Sequence, residues 1–87
     1  MPANILVVDD DQGMTRFLSL MLDRDGHGTR CAHSASDAIA LLKKESFDVV
    51  ITDLKMPGLG GHGLVKQLRR FLLDNNLVAV PFDKGLG

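Results

Sequence analysis

Phe47-Asp48-Val49-Val50-Ile51-Thr52-Asp53-Leu54-Lys55-Met56-Pro57-Gly58 is the stretch whose reading decides the fold. Its apolar run, Val49 to Ile51, is too short for a helix and rich in β-branched residues, so it predicts a fully buried strand. The run ends in Asp53, and Pro57-Gly58 then breaks the backbone into a turn. Open α/β sheets place their ligand-binding groups where a buried strand gives way to a loop. Asp53 is therefore the first candidate for a functional residue.

Upstream, Asn4-Ile5-Leu6-Val7-Val8 is a second uninterrupted aliphatic run, stopped by Asp9-Asp10-Asp11. Continuous rather than alternating apolarity predicts a strand covered on both faces, and so a parallel sheet between helices. Met14, Phe17, Leu18, Met21 and Leu22 recur at helical spacing, with Asp11 as N-cap and Gly26 as stop. The methionines and phenylalanines at this spacing are expected in the core. His27 to His33 is a strand candidate with Thr29, Cys31 and His33 on one face. Ser34-Ala35-Ser36-Asp37 resembles a capping box, followed by the stripe Ala38, Ile39, Leu41 and Leu42. After a Gly-rich loop, Leu64, Val65, Leu68, Phe71 and Leu72 spell a third amphipathic helix, with Lys66, Arg69 and Arg70 on its wet side. Asp74 to Gly87 reads as turn, short strand and tail. The order is β-α-β-α-β-α, the signature of a right-handed, doubly wound sheet, plus one C-terminal strand.

Eighty-seven residues make one small domain, and 45% hydrophobic content makes it globular rather than disordered. A formal charge of −1 supplies no electrostatic case for nucleic acid or an anionic membrane as partner. The single cysteine, Cys31, suits a reducing compartment and reads as a small buried hydrophobe. No signal peptide or membrane-spanning run is visible, so a soluble, cytoplasmic location is expected. His27, His33 and His62 lack metal-ligand spacing and read as surface or loop residues. Gly58, Gly60, Gly61 and Gly63 lack the Lys-Ser/Thr of a P-loop and read as backbone turning.

Two strands in this pattern end in carboxylates, Asp9-Asp10 and Asp53. The first and third strands of a doubly wound sheet are neighbours, so these groups converge at one edge. Anionic oxygens at close range repel unless a cation sits among them, and hard oxygen ligands favour Mg²⁺. The chemistry that follows is attack by a carboxylate on a phosphoryl donor to give an aspartyl phosphate.

Ile5-Leu6-Val7-Val8-Asp9-Asp10-Asp11 together with Asp48-Val49-Val50-Ile51-Thr52-Asp53-Leu54-Lys55-Met56-Pro57-Gly58 resembles the receiver domain of bacterial two-component response regulators. The resemblance runs from about Asn4 to Arg70 and implies an α/β, flavodoxin-like doubly wound parallel sheet, here incomplete. It implies that Asp53 is the phospho-acceptor, and that Asp10, Asp53 and the Lys55 backbone carbonyl ligate Mg²⁺. Asp9 would be the second residue of the acidic pocket, acting largely through water. A histidine kinase would be the donor and the chain an acceptor rather than an enzyme. Thr52 to Gly58 is also similar to receivers of transcription activators of the nitrogen-regulation type.

Residues 71–87 depart from the family pattern. The family ends its fourth strand in Thr or Ser and its fifth in Lys, and neither is assignable here. Leu77-Val78-Ala79-Val80 is either a fourth strand before a truncation or, from Val80-Pro81-Phe82-Asp83, a fifth-strand ending after an internal deletion. The second reading, which sets Val80 in the Lys position, is preferred. A shortened sheet exposes apolar surface and an unpaired edge, so a homodimer or domain-swapped oligomer is expected. A rival reading is a degenerate or engineered receiver fragment with only a structural role. A metal-dependent phosphohydrolase ranks last, because Leu54-Lys55 offers no acid-base residue after the nucleophile.

Overall fold

Every backbone group in a buried strand needs a ladder partner, and the aliphatic runs find theirs in one four-stranded parallel sheet. In the computed structural model, residues 2–53 and 62–82 are described, with side chains over 2–52 and 66–80. The elements follow as β1 (Asn4–Val8), α1 (Gln12–Arg24), β2 (Gly28–Ala32), α2 (Ala35–Lys44), β3 (Val49–Asp53), α3 (His62–Asp74) and β4 (Val78–Phe82). The sheet order is β2-β1-β3-β4, parallel throughout. This is the flavodoxin-like doubly wound arrangement that the alternating pattern predicted.

The local signals explain where the elements begin and end. The Asp11 carboxylate accepts from the Met14 amide at 3.2 Å and caps α1. Ser34 Oγ accepts from the Asp37 amide at 3.0 Å and caps α2, as the capping-box pattern predicted. Helix α1 stops at Gly26, whose φ of 90° is left-handed. There the His27 amide reaches back to the Leu22 carbonyl and the Gly26 amide to that of Asp23, a Schellman ending. Helix α3 ends in the same motif with Asn76 (φ 53°) in the glycine position. Leu77 folds back there towards Leu72, its amide bonding the Leu72 carbonyl.

The two faces of the sheet are covered unequally. Leu6, Val8, Ala32 and Val50 point to the face where α2 and α3 supply Ala35, Ala38, Leu42, Leu68 and Leu72, and with Phe47 these form the core. Lys66, Arg69 and Arg70 lie on the exposed side of α3 as expected. On the other face, Thr29, Cys31 and His33 all meet α1. Thr29 Oγ1 bonds Ser19, Cys31 Sγ lies 3.7 Å from the Thr15 carbonyl, and His33 Nε2 lies 3.0 Å from Thr15 Oγ1. Cys31 is half-buried rather than enclosed.

The expectation that Phe17 and Met21 belong to the core is corrected by the structure, because both are half-exposed. Helix α1 packs on β1 and β2. Among the described residues its outer flank meets no covering layer, and helical spacing alone does not reveal that. The residue of α1 that is buried, in its first turn, is polar, Thr15. Its hydroxyl donates to the Gln12 carbonyl at 3.0 Å. Since a hydroxyl has one proton, His33 must then donate through Nε2–H.

Candidate functional site

The site is assembled at the C-terminal edge of the sheet, where all four parallel strands end together. Val8 of β1 pairs with Thr52 of β3, so the residues that follow, Asp9 and Asp53, come level on adjacent strands. Strand β1 lies between β2 and β3, and β3 between β1 and β4, so both acid-bearing strands are interior. Convergence of Asp9, Asp10 and Asp53 at one edge was the expectation from sequence, and the register places their backbones there.

Asp9 is fully buried, with 0% of its surface exposed. Its amide donates to the Ala32 carbonyl at 3.0 Å, which extends the β1–β2 ladder by one residue. Its Oδ1 accepts from the Asp11 amide at 3.0 Å, closing a local turn of the kind aspartate favours. The same carboxylate thus shapes the loop that aims Asp10 outward and sets Asp11 as the cap of α1. Asp10 is exposed beside it. The hydrogen-bonded chain from Gln12 through Thr15 to His33 ties the first turn of α1 to the end of β2 and braces this loop. Sequence reasoning missed that brace; a polar residue at an inward helical position facing a histidine was its only signal.

Of the four residues expected to hold a metal, Asp9 and Asp10 are described in full and Asp53 by its backbone, while Lys55 lies outside the described residues. Among the described residues, no group of three or more His, Cys, Asp or Glu is gathered at metal-binding distances. A buried carboxylate beside an exposed one, both hard oxygen donors at a strand end, fits Mg²⁺, which takes one or two carboxylates and keeps several waters. In β4, Val80 pairs with Ile51 and Phe82 with Asp53, so the strand occupies the place beside β3 and brings Phe82 level with Asp53.

An interior pair of parallel strands ending in acids defines a flavodoxin-like domain with its binding edge at the point where the strand order reverses. Comparison with known proteins gives the family. Residues 5–80 match the response regulator receiver domain, and the chain belongs to that family. It is 38% identical over 79 residues to the protein PilH of Pseudomonas aeruginosa, covering 91% of this chain and 63% of PilH. It is 39% identical over 69 residues to the response regulator protein FleR of the same species, covering 79% of this chain but 15% of FleR. Among solved structures, NtrX from Brucella abortus superposes with a TM-score of 0.82 at 28% identity, over 98% of this chain and 20% of that one. The chain thus spans less than two thirds of these relatives.

Proposed function

We propose that these 87 residues form one receiver unit that takes a phosphoryl group from a histidine kinase on Asp53. The observation that supports this is the register that sets Asp53 level with buried Asp9 on the adjacent interior strand. A carboxylate oxygen of Asp53 attacks phosphorus, a new O–P bond forms, and the N–P bond of the phosphohistidine breaks. The leaving imidazole keeps that electron pair and takes up a proton, and Asp53 is left as an acyl phosphate. Asp10, Asp53 and the Lys55 carbonyl would hold Mg²⁺, with Asp9 acting through water; the ion would offset the negative charge of the phosphoryl group in transfer. Phosphorylation of a receiver biases a two-state switch, here towards a change of conformation or oligomeric state that regulates an output such as transcription. The proposed setting is the cytoplasm; no helix among the described residues is long and apolar enough to cross a membrane. A homodimer or domain-swapped oligomer is part of the same proposal.

The direct experiment is intact-protein mass spectrometry after incubation with Mg²⁺ and acetyl phosphate. A hydroxylamine-labile phosphoryl adduct is the expected result. A folded, Mg²⁺-binding chain that forms no adduct would instead support the rival reading, a receiver fragment with only a structural role. That rival draws its support from β4, which carries Phe82 rather than a hydroxyl level with Asp53.

Asp9→Asn separates the two uses of the Asp9 carboxylate. The amide oxygen still accepts from the Asp11 amide, so the loop holds, but the charge is gone. Mg²⁺ affinity by titration calorimetry should fall only in part, by about tenfold, the scale of outer-shell losses. An unchanged affinity would remove Asp9 from the pocket.

A further inference from the structure

The loop that carries Asp10 is held on both sides by two consecutive residues at the end of β2. On one side, the Asp9 amide donates to the Ala32 carbonyl at 3.0 Å. On the other, His33 Nε2 lies 3.0 Å from Thr15 Oγ1, and that hydroxyl donates to the Gln12 carbonyl. The Thr15 amide donates to the Asp11 carbonyl at 3.1 Å, and the Asp11 amide returns to Asp9 Oδ1. These bonds close a ring from Asp9 through Ala32, His33, Thr15 and Asp11, with Asp10 in the span between Asp11 and Asp9.

A helical threonine commonly turns its hydroxyl back on the preceding turn, so the bond to Gln12 alone is ordinary. Thr15 does more: it is 2% exposed, and its hydroxyl oxygen also accepts from a second element. Val8 pairs with Ala32, so the residues that follow them, Asp9 and His33, stand level at the end of the sheet. A tie that only packs α1 on β2 is already present one helical turn further along, where Ser19 Oγ lies 2.6 Å from Thr29 Oγ1. The Thr15–His33 bond lies instead at the acid end of the helix. Partners one bond behind a metal's ligands commonly set its affinity, because they hold the ligands in place.

We propose that His33 and Thr15 are positioning residues for the metal site: acting through Gln12 and Asp11, they fix the backbone that carries Asp10 and so set the affinity for Mg²⁺. Neither residue is itself a ligand. The physical basis is pre-organisation. An exposed carboxylate on a loose loop must be ordered when the ion binds, and that entropy is subtracted from the affinity. On a braced loop most of the ordering is complete before the ion arrives. The imidazole serves as a donor through Nε2–H, to a hydroxyl whose single proton goes to Gln12. The inference rests on the reading of Asp10 as an Mg²⁺ ligand, and it adds what holds that ligand in place.

Calorimetric titration of the full chain with Mg²⁺ tests it, with far-UV circular dichroism and a urea midpoint recorded for each variant. His33→Leu and Thr15→Val, which remove the bond with little change of volume, should each lower the affinity about tenfold. The double variant should lose no more than either alone, because both break one bond. His33→Gln keeps an N–H donor and Thr15→Ser keeps the hydroxyl, so both should restore most of the affinity. Ser19→Ala, which loses the other tie between α1 and β2, should lower the urea midpoint and leave the affinity unchanged. In the ¹⁵N-labelled parent at about pH 8, where imidazole is neutral, the His33 ring shifts should report Nε2–H. An Nδ1–H ring, an unchanged affinity in folded His33→Leu and Thr15→Val, a loss that the conservative variants do not recover, or an equal loss in Ser19→Ala overturns the proposal. Mg²⁺ binding by the parent that is lost in Asp10→Asn keeps the pocket in each of those cases. A parent that binds no Mg²⁺, or no better than Asp10→Asn, overturns the pocket and this proposal together.

Discussion

Asp53→Asn takes up no phosphoryl group from acetyl phosphate in the presence of Mg²⁺. An amide oxygen is a poor nucleophile, and an adduct on it would not be an acyl phosphate labile to hydroxylamine. Losing the attacking atom removes the reaction path itself, so uptake should drop by roughly 10³-fold or more, the scale seen when a nucleophile is deleted. The fold should survive, because the substitution leaves untouched the backbone by which the last residue of β3 pairs with Phe82. Measured by intact mass beside the parent, with circular dichroism as the folding control, the variant should stay at its unmodified mass. Equal uptake by variant and parent would move the acceptor to another residue.

The second large effect concerns stability. Leu6 is fully buried at the centre of the core formed by β1, β3, α2 and α3. Leu6→Ala removes three carbons from a site whose neighbours are the rigid strand residues Val8, Val50 and Ala32, which cannot collapse into the space. The expected cost is about 3 kcal/mol, transfer and cavity together. That is a large fraction of the roughly 4–13 kcal/mol that a domain of this length commands. With a urea slope of about 1–2 kcal/mol per molar, the midpoint should fall by about 2 M. Leu73→Ala, at a side chain that is mostly exposed, should shift it little. The chain has no Trp or Tyr, so far-UV circular dichroism is the appropriate probe. A shift of less than about 0.5 M for Leu6→Ala, under 1 kcal/mol by the same slope, would contradict the packing described.

Much of this fold was legible because its strongest signals are local. Buried parallel strands leave continuous aliphatic runs, which is why Asn4–Val8 and Val49–Ile51 could be read as neighbours. Caps act over three residues, so Asp11, Ser34 and Gly26 announced themselves. What was not legible depends on which element lies over which. Periodicity marks Phe17 and Met21 as apolar positions of a helix, but only the extent of the covering layer decides whether they are buried. Thr15 is buried through bonds to Gln12 and His33, a pairing that hydropathy cannot report. The placement of β4 beside β3 is likewise a tertiary fact, left open by a short run ending in Pro81-Phe82. For the site, the positions of Asp9 and Asp10 follow from the end of β1, whereas the double use of Asp9 required the hydrogen bonds themselves.

The strand order carries a consequence for how such a domain tolerates change. Acids stand at the ends of β1 and β3, and each of these strands is held on both sides. Among the described residues β4 is the border strand, so a change along the chain after α3 alters the β3–β4 ladder and leaves two ladders beneath Asp9 but one beneath Asp53. The acid at the end of β1 is thus insulated from such changes by two ladders, and the acid at the end of β3 shares its register with the strand that changes.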